Sequence, residues 1–138
     1  MGVFNIDDAD LEALWYFEND ATDEKNQNDL TAVGAPSYNS SDYQQGAYAA
    51  ECGDAEGFYR NDADLVGINF GASFSVGVWA KCTSDAQDGK LISKWNASAS
   101  QREFDLWRES TDTSINISIS ESGTSGIVVT SEASNWPI

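Results

Sequence analysis

Apolar and polar side chains alternate along much of this chain with the period of two that marks a half-buried strand. The clearest case runs from Phe74 to Lys81, where Phe74, Val76, Val78 and Ala80 fall on one face and Ser75, Gly77, Trp79 and Lys81 on the other. Leu11, Ala13, Trp15 and Phe17 form a similar stripe closed by Glu18-Asn19-Asp20, and Ile115, Ile117 and Ile119 alternate with Asn116, Ser118 and Ser120. The last stretch reads as an antiparallel strand with one face in water. Leu91–Trp95 and Glu103–Arg108 read as a strand pair joined by a loop of Asn, Ala, Ser and Gln. Shorter strands are predicted at Leu30–Val33, Ala47–Cys52, Phe58–Arg60 and Ile127–Thr130, each bounded by turn-forming residues.

Between these runs the chain is polar. Residues 18–29 contain hardly an apolar group and read as a solvated loop, while 61–72 read as an irregular crossing with Leu65, Ile68 and Phe70 as core contacts. Residues 1–10 mix acidic and apolar groups without a period and form a lead-in segment, leaving 11–138 as one domain. Many short strands separated by turns predict an all-β fold, an antiparallel two-sheet sandwich or jelly roll, with Trp15 and Trp79 in its core.

Charge and missing residue types narrow the function. Of 138 residues 23 are acidic and 7 basic, a formal charge of −16, which repels nucleic acid and anionic lipid and attracts cations. No stretch approaches the roughly 18 apolar residues of a membrane span, and the first residues lack the pattern of an export leader. The chain has no His, so mechanisms built on a Ser/His or Cys/His pair are excluded. Cys52 and Cys82 are too few for a structural zinc motif; they are candidates for one disulfide, with two separate buried thiols as the plainer alternative.

Three groups of residues are candidates for chemistry. Asp20, Asp23, Asn28 and Asp29 place carboxylate and amide oxygens at short spacing in one loop, a donor set suited to calcium, against the alternative of a solvated, turn-forming loop. Trp95, Trp107 and Tyr59 are candidate platforms for stacking a sugar ring. Glu103 and Asp105, two apart, share one face of a strand and offer a carboxylate pair of the kind that cleaves glycosides, although the neighbouring Arg102 and Arg108 suggest surface ion pairs instead. Asn39, Asn96 and Asn116 begin acceptor patterns for N-glycosylation, which the richness in Asn and Ser explains by chance.

The runs "LEALWYFENDATDEKNQNDLT", "QGAYAAE", "FSVGVWAK" and "KLISKWNASASQREFDLW" together resemble the laminin G-like, concanavalin A-like jelly-roll domains of microbial and phage surface proteins. The resemblance covers about Leu11 to Trp136, with "FSVGVWAK" and "LISKWN" as its most specific part. It implies a carbohydrate-binding or adhesion role and a calcium ion near the 18–29 loop, where Asp23 and Asn28 match best. Domains of this family usually continue beyond the "SNWPI" at the end of this chain, so the resemblance implies the front two thirds of a domain, completed by another chain or by self-assembly. The expected function is a non-catalytic glycan-binding or adhesion module on a virion, filament or microbial surface, outside the cell. The alternative is a structural subunit that forms a homo-oligomer or filament by completing its sandwich with other chains; a glycoside hydrolase ranks third.

Overall fold

A computed structural model describes residues 8–68, 73–82, 88–96, 98–110, 114–120, 122–124 and 127–130, the last four as backbone. Phe70 and Trp136 lie outside the described residues. Among the described residues every strand pairing is antiparallel, there is no α-helix, and the helical turn at Asp62–Asp64 is of the 3-10 type. The fold is all-β. No helix among these residues is long and apolar enough to cross a membrane. The chain divides into two compact units, Met1–Gly71 and Ala72–Ile138.

In the first unit, β1 (Thr31–Val33) pairs with β4 (Gly57–Tyr59), and β2 (Ser37–Asn39) pairs with β3 (Ala49–Glu51). Two-stranded ribbons of three residues hold little by themselves. Aromatic packing ties them together, since the Phe58 ring lies 5.0 Å from that of Phe17 and 6.1 Å from that of Tyr38.

The strand predicted over Leu11–Phe17 does not form. Its backbone is paired with the following loop instead: Leu14 N–H donates to Asp23 Oδ1 at 2.9 Å and Leu14 C=O accepts from Glu24 N–H at 2.9 Å. Phe17 and Asn19 then take positive φ values of 56° and 64°, which ends any extended run. The loop itself departs from the solvated coil that its polarity predicts, because Asp23 and Asn28 are 1% and 0% exposed.

The second unit is a four-stranded meander, β5 (Gly89–Asn96), β6 (Gln101–Arg108), β7 (Ile115–Ile119) and β8 (Ile127–Thr130), hydrogen-bonded in chain order. The hairpin predicted from Leu91–Trp95 and Glu103–Arg108 is therefore present, with bulges in β5 between Lys90 and Ile92 and between Lys94 and Trp95. The loop after β7 is held to the hairpin by Arg102, whose Nη1 donates to Gly123 O and Thr124 O.

Residues 73–82, the clearest alternation in the sequence, join no ladder, and Trp79, expected in the core, is 60% exposed. Phe74 instead lays its ring 5.9 Å from Phe104 on one face of the meander. That face, with Leu106, Ile117 and Ile119, surrounds an open hollow of about 450 Å³. The burial of β7 is the reverse of what its alternation suggests: Asn116 and Ser118 are enclosed while Ile119 is 38% exposed. Ile117 and Ile119 line the hollow, and the polar residues lie on the face that carries the β6 carboxylates, Glu103 and Asp105.

Candidate functional site

Pairing register decides which side chains of the meander meet. On β6, Glu103, Asp105 and Trp107 share one face; directly opposite, Asn116 faces Trp107 and Ser118 faces Asp105 on β7, while Lys90 faces Trp107 and Ser93 faces Asp105 on β5. This face therefore gathers two carboxylates, an indole, an amide, two hydroxyls and an ammonium.

Asp105 is buried, and its Oδ2 is bonded by Lys90 Nζ. The same ammonium lies 5.2 Å from the centre of the Trp107 ring, within cation–π range. Glu103 Oε1 is 2.6 Å from Lys94 Nζ, which reaches it from the second bulge of β5. Each carboxylate thus has one oxygen on a lysine. The other oxygen, Glu103 Oε2 or Asp105 Oδ1, is buried and accepts no hydrogen bond. A buried acceptor left without a donor costs on the order of 1–3 kcal/mol. Two such atoms on adjacent same-face positions mark a place where a donor-bearing ligand gains more than it would on an ordinary surface.

Asn116 Nδ2 donates to Ser114 Oγ at 3.2 Å and to Glu109 Oε2 at 3.3 Å, fixing the amide beside the indole. Being 2% exposed, Asn116 is not an accessible glycosylation acceptor.

The aromatic candidates are not brought together. Trp107 is on the face just described; Trp95 lies opposite Arg102, 5.8 Å from its guanidinium, on the other face of the sheet. Tyr59 belongs to β4 in the first unit and is 46% exposed.

The proposed cation ligands are engaged by the chain. Asp23 Oδ1 accepts N–H bonds from Leu14 (2.9 Å) and Lys25 (3.0 Å), and Oδ2 accepts them from Asn28 (2.9 Å) and Gln27 (3.3 Å). Asn28 exchanges two bonds with the Val66 backbone, Nδ2 to O at 2.9 Å and N–H to Oδ1 at 2.8 Å, and its own C=O accepts Trp15 Nε1–H at 2.8 Å. Asp29 Oδ1 takes the Asp23 N–H at 2.9 Å. Asp20 is exposed, and its carboxyl is held below the ordinary aspartate range by the Thr22 hydroxyl and then by the Thr22 N–H. These residues form a brace that closes the loop, with the Asp23 and Asn28 oxygens turned to amide hydrogens. Among the described residues no three Asp, Glu or Cys side chains converge as a metal ion would need.

Cys52 and Cys82 are free thiols, one in each unit. Partial burial and then the nearby Glu56 carboxylate push the Cys52 thiol up from its usual range.

Sequence reading picked out Glu103, Asp105 and Trp107 but not their lysines. Hairpin pairing would have found Lys90, which lies opposite Trp107 and diagonally across from Asp105, whereas Lys94 pairs with Phe104 and reaches Glu103 only through the bulge beside it. No protein-family model, curated protein or solved structure matches this chain.

Proposed function

We propose that this protein is a non-catalytic glycan-binding or adhesion module displayed on a virion, filament or microbial surface, with the Glu103–Asp105–Trp107 face as its recognition site. The observation that carries this reading is the pair of buried, donor-less carboxylate oxygens beside an indole on one strand face. Sugars supply what that face lacks, hydroxyl donors for the oxygens and an apolar ring face for Trp107. The lysine on each carboxylate supports binding over hydrolysis, because glycoside cleavage assigns the two acids opposite tasks, one giving a proton and one attacking or activating water. The frame we propose is a concanavalin A-like jelly roll.

A glycan array read with the wild-type chain and with Trp107→Ala tests the proposal. Binding to a defined set of sugars that the variant loses supports it; binding to none, or binding indifferent to Trp107, contradicts it.

A second reading, a structural subunit that completes its sandwich with another copy, is favoured by the open apolar hollow and by Phe74, Val78, Trp79 and Ile119, each exposed by more than a third. Light scattering after size exclusion decides it: a concentration-dependent oligomer supports this reading, and a monomer at every concentration removes it.

A further inference from the structure

We infer that the glycan bound at this face carries a free amino group, whose ammonium takes the place that Lys90 holds over Trp107 and against Asp105; this rests on the reading of the face as a glycan site. Lys90 shows what the pocket accepts, since one ammonium both bonds Asp105 Oδ2 and lies over the Trp107 ring. Its side chain is 60% exposed, whereas that of Asp105 is 5% exposed, so the lysine is the partner that can swing into water and leave the acid behind. An incoming ammonium then meets Asp105 Oδ2 and the ring as Lys90 does, and the hydroxyls of the sugar that carries it are the donors offered to Asp105 Oδ1 and Glu103 Oε2, which Lys90 leaves without one.

Charge favours an amine over a hydroxyl or an acid. A hydroxyl can hydrogen-bond a carboxylate, but only an ammonium adds ion–ion attraction to the acid and a cation–π contact with the ring. The formal charge of −16 draws cationic ligands in and works against uronate or sulfate sugars. Lys90 on this view is an internal competitor, so removing it strengthens binding. A lysine that merely held the sugar would have the opposite effect.

The test is calorimetric titration of the full chain with a glucosamine disaccharide, its N-acetylated counterpart and the matching glucose disaccharide. Short probes avoid the indiscriminate attraction of a polycation to an acidic protein. We expect the free amine to bind about tenfold or more tighter than either neutral sugar, consistent with one charge-assisted contact. Lys90→Met, which keeps the aliphatic stem, should raise that affinity several-fold, and Asp105→Asn should lower it at least about tenfold. Glu103→Gln, at the less buried acid, gives the same direction if Asp105→Asn unfolds. Equal binding of the acetylated or glucose form, or weaker binding by Lys90→Met, overturns the inference while leaving a glycan site in place. Failure to bind any sugar, here and on a broad array, overturns both.

Discussion

The backbone N–H of Asn28 donates to Asp23 Oδ2 at 2.9 Å, so the two most enclosed polar side chains of the first unit support one another. Asp23 gathers amides from Leu14, Lys25, Gln27 and Asn28, and Asn28 carries the connection on to Val66. A loop with almost no apolar residues is thereby closed by polar groups, each supplied with a partner.

Replacing Asp23 by Ala strands those buried amides. We predict a loss of roughly 3–5 kcal/mol for Asp23→Ala and about 2–4 kcal/mol for Asn28→Ala, since a buried donor without an acceptor costs about 1–3 kcal/mol. Urea unfolding measures both. A change below about 1 kcal/mol for Asp23→Ala would show that the brace is dispensable.

Because chain amides already occupy the Asp23 oxygens, the loop should hold its shape without a divalent cation. Treatment with EDTA is predicted to leave the melting temperature unchanged, and added calcium to raise it no more than added magnesium. A calcium-specific rise would assign these residues to an ion after all.

At the start of β5, Asp88 Oδ1 accepts the Ser110 N–H at 2.8 Å and the Ser110 hydroxyl at 2.9 Å. These bonds, first the amide and then the hydroxyl, with a smaller contribution from Arg108, hold its carboxyl below the value of an ordinary aspartate. A depressed folded value means that protons bind the unfolded chain more readily, so the contribution is present above that ordinary value and fades as pH falls through the lower folded one. Asp88→Asn is predicted to narrow its stability gap to wild type as pH drops below about 4. A gap constant from neutral to acid pH would contradict this.

The raised Cys52 thiol should be slow to alkylate at neutral pH despite lying at the surface. Its alkylation rate, followed against pH in a Cys82→Ser background, is predicted to reach half-maximum above the value of an ordinary free thiol. A midpoint below that value would show an activated thiol instead.

Strand pairs whose turn chemistry is local were legible in the sequence. The β5–β6 hairpin and β7 stand where alternation and turn residues put them, and the all-β class follows from the same pattern. Two stretches with equally good alternation failed for a tertiary reason. Leu11–Phe17 found hydrogen-bond partners in the Asp23–Glu24 loop, and Phe74–Lys81 lies outside any ladder with Phe74 against Phe104. Period two reports which residues share a face, not what each face meets, which is why Asn116 and Ser118 came out buried. For the candidate site, Glu103, Asp105 and Trp107 could be read from their spacing on one strand. Lys90 needed the pairing register, Lys94 the bulge beside it, and the donor-less oxygens the packing of side chains around them.

The most direct measurement is sugar binding by the wild-type chain beside Trp107→Ala and Asp105→Asn, each first shown by near-ultraviolet circular dichroism to be folded. The expected result is a wild-type affinity for at least one class of sugar that falls at least about tenfold in both variants, a loss of about 1.4 kcal/mol. Undiminished binding by folded variants would place recognition elsewhere on the molecule, and no sugar binding by the wild type would remove the glycan reading altogether.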